Sequence, residues 1–276
     1  MLGERQKAAA AELVQWWDGV ADGGIGSHAV LLAGPVGWGR STVLDELPRL
    51  IGSAARPAGT VVRLAAAELP EAASAQAAAL RDGLLTAEVR AQAAALLCRG
   101  GARNAARRGG SLLRSGMTGT MLLLRAGLAA AAGGGPASDG PASADGVAAR
   151  AARIVAAASV SAPVLVAMDD ADYLDPGLAV AVIENLIDHY DSRVLVAAAV
   201  EEGSDLAAAL TARARYGPTE GRVHRADADP RMGWQSRAEL AGEISPQLTR
   251  AQAYQLAQRT RTFGEIFAAA RPQPRR

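Results

Sequence analysis

Nine residues, Gly34-Pro35-Val36-Gly37-Trp38-Gly39-Arg40-Ser41-Thr42, carry the strongest chemical pattern in the chain. They match G-x-x-x-x-G-K-[ST] at every required position except that arginine stands where lysine is usual. Glycines at this spacing let the backbone curl until successive N–H groups point inward at phosphate oxygens, and a helix opening behind them adds partial positive charge. In such a loop the Ser41 hydroxyl would coordinate magnesium, Arg40 would reach the β- and γ-phosphates, and Thr42 would contact the α-phosphate side. The exchange at Arg40 is not conservative, because guanidinium is larger and planar where ammonium is a compact point charge. Nucleotide binding is expected to survive with reduced affinity, and hydrolysis is the expected casualty.

A second pattern lies downstream, where Val164-Leu165-Val166-Ala167-Met168 runs into Asp169-Asp170 and then Ala171-Asp172-Tyr173-Leu174-Asp175-Pro176. A hydrophobic strand ending in paired carboxylates sets them at the carboxyl edge of a sheet, where open α/β folds bind ligands. There Asp169 would hold magnesium, directly or through water, and Asp170 would orient and deprotonate an attacking water. The plainer alternative is that the pair only starts a turn; its coincidence with the phosphate loop favours function. Asp175 ahead of Pro176 reads as a helix N-cap.

Both patterns need strands to carry them. The apolar run Ala29 to Ala33 is too short for a helix and stops at Gly34-Pro35, so it predicts a strand buried on both faces. Similar runs occur at Val61 to Leu64, Val164 to Met168 and Val194 to Val200, and a weaker one at Arg222 to Arg225. Helix-type segments separate them: Glu4 to Val20, Ser41 to Ile51, Glu71 to Leu80, Leu84 to Cys98, Val147 to Ser159, Gly177 to Tyr190 and Ser204 to Tyr216. This alternation predicts an α/β fold with a parallel sheet and right-handed crossovers. After Asp227 the strand signals stop and three helix-type pieces follow (Trp234 to Glu243, Thr249 to Arg259, Phe263 to Ala270), which divides the chain into a core over 1–226 and a small helical subdomain over 227–276.

Composition limits the remaining possibilities. Half of the 276 residues are hydrophobic, 4% are aromatic and the net charge is +1, which suits a globular core packed with small side chains and excludes collagen, coiled-coil and wholly disordered classes. Lys7 is the single lysine among 29 cationic residues, so any one arginine says little about selection for a guanidinium. Cys98 has no partner for an internal disulfide, and His28, His189 and His224 are widely spaced, so a reducing cytoplasm and no zinc-type site are expected. The N-terminus shows no signal-peptide h-region, and the most membrane-like stretch, Met117 to Ala132, is short for a bilayer and contains Arg125.

The two patterns, taken in order, resemble P-loop ATPases of the AAA+ and STAND type, in particular domains related to origin-recognition ATPases. Gly34 to Thr42 is similar to their Walker A motif and Val164 to Asp170 to Walker B, while Leu2-Gly3-Glu4-Arg5 looks like the G-R-E motif before the first helix, in altered order. The resemblance spans most of the chain outside the basic insertion. It implies a three-layer P-loop core with a C-terminal helical lid, ATP or ADP with Mg2+ as ligands, and Gly34, Pro35, Gly37, Trp38, Gly39, Arg40, Ser41 and Thr42 around the nucleotide. It also implies that Val194 to Val200 is the strand carrying sensor 1, and that Arg259 or Arg261 could approach the phosphates from the lid; a solvated helix end explains either arginine equally well. The sensor strand departs from the family: it ends in Glu201-Glu202 rather than a polar neutral or basic group, and an acidic pair would repel a γ-phosphate unless it points away. With Arg40, this predicts a slow or inactive ATPase.

A segment from about 99 to 146 breaks the alternation. From Val89 to Ser138 there is no Asp or Glu, while Arg90, Arg99, Arg103, Arg107, Arg108, Arg114 and Arg125 are all present. Such a field favours nucleic acid, an anionic membrane or an acidic protein surface, and a solvated insertion accounts for it equally well. The stripe Leu113, Met117, Met121, Leu124 and Leu128 is a packing face or an interfacial helix, and the lack of aromatics disfavours base stacking. The leading expectation is an ATP-binding regulatory domain with a conformational readout, working with a protein effector or as a homo-oligomer. The alternatives are a scaffold that no longer turns over nucleotide and an origin-recognition-like DNA binder.

Overall fold

Five apolar runs form five strands in the computed structural model, which describes residues 3–52, 59–96, 144–189, 191–216, 221–227, 238, 241–242, 245, 247–260 and 269. The strands are β1 (His28–Gly34), β2 (Thr60–Ala65), β3 (Val164–Asp169), β4 (Val194–Glu201) and β5 (Val223–Asp227). They pair in the order β2-β3-β4-β1-β5, every pair parallel. The interior strands β1, β3 and β4 are buried almost throughout, as their unbroken apolar sequences require. β2 lies at an edge and alternates, with Val62 and Leu64 inward and Arg63 exposed. The other edge is β5, and its polar sequence explains why its signal is faint.

Helices cover both faces, an arrangement compatible with a three-layer α/β fold. On one face α1 (Glu4–Ala21) and α2 (Arg40–Ile51) bury Leu13, Trp17, Val43 and Leu47 against Val30, Leu32, Leu165 and Leu195. On the other, α3 (Ala73–Leu84), α4 (Ala144–Ala158), α5 (Pro176–Ile187) and α6 (Asp205–Tyr216) pack on Leu31, Val62, Val166, Met168 and Val196. Alanines such as Ala148, Ala151 and Ala152 let α4 approach closely. β1 leads through α2 to the far edge, whereas β4 leads through α6 in the opposite direction to β5. These two strands are neighbours, so their carboxyl ends open the crevice where ligands bind in open parallel sheets.

Some boundaries differ from the sequence reading. α3 starts at Ala73 and continues through Gly83 to Leu84, and a separate helical stretch occupies 87–96. α4 begins at Ala144, so the end of the expected insertion is already helical. The rest of the insertion, including every arginine of its basic run except Arg90, lies outside the described residues, as does the Met117 to Ala132 stretch. So does most of 227–276. There α7 (Arg250–Arg259) is described, opened by a capping box in which Thr249 and Gln252 satisfy each other's backbone N–H. The division into core and helical subdomain rests on residues outside that set.

At the amino end of the sheet, His28 of β1 and His224 of β5 face each other with Nδ1 and Nε2 3.0 Å apart, and Trp16 of α1 stacks on His224 with ring centroids 4.0 Å apart. Among the described residues no helix is long and apolar enough to cross a membrane.

Candidate functional site

β1 ends at a buried glycine and α2 starts six residues later, so the bend between them must turn sharply over the carboxyl edge. Gly37 and Gly39 take φ values of 81° and 91°, the left-handed region where a side chain is strained. The Trp38 N–H closes the turn onto the Pro35 carbonyl at 3.2 Å. Its indole is 2% exposed and lies beneath Gly34, and Gln6 of α1, fully buried, donates from Nε2 to the Trp38 carbonyl at 2.9 Å. Trp38, expected around the nucleotide, is therefore the floor of the bend: its side chain belongs to the core and its N–H is spent on Pro35.

The first turn of α2 has no side-chain cap. Its N-cap is Gly39, its first backbone bond runs from the Val43 N–H to the Gly39 carbonyl, and the N–H groups of Arg40, Ser41 and Thr42 find no acceptor among the described residues. Three donors at the positive end of a helix thus converge on the crevice. Arg40 is 9% exposed, and its Nη1 reaches back to donate to the Gly34 carbonyl at 2.8 Å. No carboxylate lies within ion-pair distance of it among the described residues.

Across the crevice, Asp169 ends β3. Ser41 Oγ donates to Asp169 Oδ1 at 2.9 Å, and the Asp170 N–H donates to the same oxygen at 3.0 Å. Burial raises the Asp169 pKa; the Ser41 bond opposes this, and the neighbouring Asp170 charge adds to it. Asp170 adopts φ 50° and ψ 44°, the single positive φ on a non-glycine among the described residues. That conformation costs about 1–2 kcal/mol and turns the chain directly into the short 3-10 turn Ala171–Tyr173. The half-buried Asp170 carboxylate makes no hydrogen bond among the described residues.

Two residues to which the sequence reading gave no role hold this turn in place. Gln76 of α3, 3% exposed, donates from Nε2 to the Tyr173 carbonyl at 2.9 Å and accepts from the Asp175 N–H at 3.1 Å through Oε1. Asp172 accepts the Glu201 N–H through Oδ2, which ties the turn to the end of β4. Its other oxygen is buried without a partner among the described residues. Position three after Asp169 was the available hint for Asp172; nothing in an alanine-rich helix distinguishes Gln76 from a solvated amide. Asp175 caps α5 by accepting the Leu178 N–H at 3.0 Å, as its place before Pro176 predicts.

The acidic end of β4 divides in two. Glu202 is engaged by Arg225 of β5 at 2.7 Å, while Glu201 stays exposed at the register position of Gly34. Arg259 ends α7, and Arg261 lies outside the described residues. Among the described residues no three His, Cys, Asp or Glu side chains gather to enclose a metal, so Ser41 and Asp169 offer a partial set of two hard oxygen ligands. Such a pair suits magnesium, which keeps several waters and takes phosphate oxygens beside one or two carboxylates. No family model matches the chain, and no curated protein matches it either.

Proposed function

We propose that the chain is a nucleotide-binding domain of the P-loop ATPase kind, similar to AAA+ and STAND domains, that takes ATP or ADP with Mg2+ at the crevice between Gly34–Thr42 and Asp169. One observation carries the reading: the Ser41–Asp169 hydrogen bond beneath three unsatisfied helix N–H groups. It joins the hydroxyl and the carboxylate that a magnesium-bound polyphosphate requires on opposite walls, and the uncapped helix start supplies donors for phosphate oxygens. Ser41 and Asp169 would hold the ion, which when bound neutralises phosphate charge. Gly37 and Gly39 let the backbone approach the phosphates, Arg40 offers its guanidinium, and Thr42 lies on the α-phosphate side. Asp170, free of hydrogen-bond partners among the described residues, is the candidate base for an attacking water.

Hydrolysis on this reading is slow, because Arg40 stands where the resemblance calls for a lysine and β4, the strand the resemblance assigns to sensor 1, ends in the exposed Glu201 at the register position of Gly34 rather than in a neutral or positive group. A regulatory switch in the cytoplasm, with residues 227–276 acting as a lid, follows from the same resemblance. Calorimetry with Mg-ATP, Mg-ADP and Mg-GTP tests it. Binding of at least one nucleotide, weakened at least tenfold in Ser41→Ala and Asp169→Asn, is the expected result; absence of heat with all three overturns it. Nucleotide binding without hydrolysis that depends on Asp170, judged against Asp170→Asn, removes the enzymatic version and leaves a binding scaffold.

A further inference from the structure

The two walls of the crevice are satisfied unequally. On the wall of Asp169, Oδ1 accepts from Ser41 Oγ at 2.9 Å and from the Asp170 N–H at 3.0 Å. That wall offers magnesium one carboxylate and one hydroxyl, and an ion that gives up its water reluctantly leans on phosphate oxygens to complete such a set. The metal therefore depends on the phosphate. On the opposite wall the N–H groups of Arg40, Ser41 and Thr42 have no acceptor among the described residues. The Arg40 guanidinium spends one of its five N–H donors, from Nη1 to the Gly34 carbonyl at 2.8 Å, and the others meet no acceptor among the described residues. That bond holds the charge between the last residue of β1 and the first turn of α2. The guanidinium is nine-tenths buried and lacks an acidic partner among the described residues, so burial costs it hydration with only a neutral carbonyl in return.

We propose that the bend is a metal-independent oxyanion site: Arg40 and the first turn of α2 take a phosphate group, free or esterified, by themselves, and magnesium joins through Ser41 and Asp169 afterwards. The inference deepens the nucleotide-binding reading, on which it rests for the esters, by fixing the order in which phosphate and metal arrive. The guanidinium supplies a full charge and the start of α2 about half of one, together enough to offset most of a phosphate group. An arginine suits this task where a lysine would not, because a planar fork anchored by one N–H keeps others for the ligand. The anion gives the buried charge a partner in charge-assisted bonds, which are stronger than the bond to the carbonyl. Across the crevice the carboxylates of Asp169 and Asp170 repel that anion until the metal arrives, so metal-free binding is weaker than binding with magnesium without being lost.

Calorimetry with orthophosphate and with ADP, each in EDTA and again with magnesium, tests the order. The wild-type protein is expected to bind both in EDTA with millimolar affinity or better. Arg40→Gln is expected to weaken both at least tenfold in EDTA, whereas Asp169→Asn, which removes a metal ligand and a repelling charge, should bind there at least as tightly as wild type. ADP bound in EDTA without orthophosphate still supports the site and confines it to phosphate esters. ADP bound with magnesium, and neither anion bound in EDTA, overturns the metal-independent site and leaves nucleotide binding standing. Binding in EDTA that Arg40→Gln leaves unchanged overturns it as well. Orthophosphate bound in EDTA, with no nucleotide bound under either condition, overturns the nucleotide reading and leaves the oxyanion site standing. No binding under either condition overturns both. The wild-type comparison between EDTA and magnesium decides the matter where Arg40→Gln fails to fold.

Discussion

Ser41 and Asp169 stand 128 residues apart in the chain and share a 2.9 Å hydrogen bond between the first turn of α2 and the end of β3. Removing the hydroxyl leaves Asp169 Oδ1 with the Asp170 N–H alone. Ser41→Ala is expected to cost about 1 kcal/mol of stability, read from urea unfolding, and to raise the Asp169 pKa further by deleting the bond that lowers it. A carbon-detected titration in which the Asp169 carboxyl of the variant titrates at or below its wild-type pH contradicts this account.

The raised pKa of Asp169 has a definite sign in stability. The folded state holds this proton more tightly than the unfolded chain, so the folded state is favoured below the ordinary value of 3.8 and loses that advantage as pH rises through the raised folded value. Asp169→Asn abolishes the loss. Its melting temperature relative to wild type is expected to climb between pH 3.5 and neutrality in the absence of nucleotide and magnesium. A flat difference across that range refutes the assignment.

The histidine pair at the other end of the sheet behaves oppositely. Burial first, then the charges of His224 and Arg222, push His28 down to about 4, and burial lowers His224 as well. A histidine held neutral by folding stabilises the protein fully above its ordinary 6.5, and that contribution is lost as pH falls from 6.5 toward 4. His28→Gln should flatten the fall in melting temperature over this window, with Trp16 fluorescence a convenient monitor. An unchanged slope would show that the pair does not titrate with folding.

Gln76 braces the turn that follows Asp169. Gln76→Ala leaves the Tyr173 carbonyl and the Asp175 N–H without their partner and is expected to cost about 2 kcal/mol in urea unfolding. Gln76→Glu keeps the acceptor for Asp175 and loses the donor to Tyr173, so its cost should be smaller than that of Gln76→Ala at low pH, where the carboxyl is protonated and donates again. Equal stability of both variants with wild type at every pH would deny the brace.

How much of this was legible beforehand depended on what each residue's surroundings demanded of its type. Val30 to Leu32, Val164 to Met168 and Val194 to Val200 are buried on both faces, and only apolar letters satisfy that, so these strands declared themselves. Val223 to Asp227 is an edge strand with His224 and Arg225 in it, and a half-solvated strand admits polar residues that blur its pattern. Gly37 and Gly39 were readable because left-handed backbone selects glycine. The rotamer of Arg40 was not, since sequence fixes the identity of a guanidinium and leaves open which carbonyl it meets. Strand order was equally silent: it is decided by which surfaces pair, and all the apolar runs look alike.

That order has a consequence for synthesis. β4 stands between β1 and β3, and its residues 194–201 are made after both of them. A nascent chain that has not yet delivered Glu201 carries Ser41 and Asp169 but not the strand that lies between β1 and β3, because Leu195 has still to find His28 across 167 positions of sequence. The crevice is thus set by long-range strand pairing rather than by local folding, and a message truncated before β4 encodes Ser41 and Asp169 without the strand that joins β1 to β3.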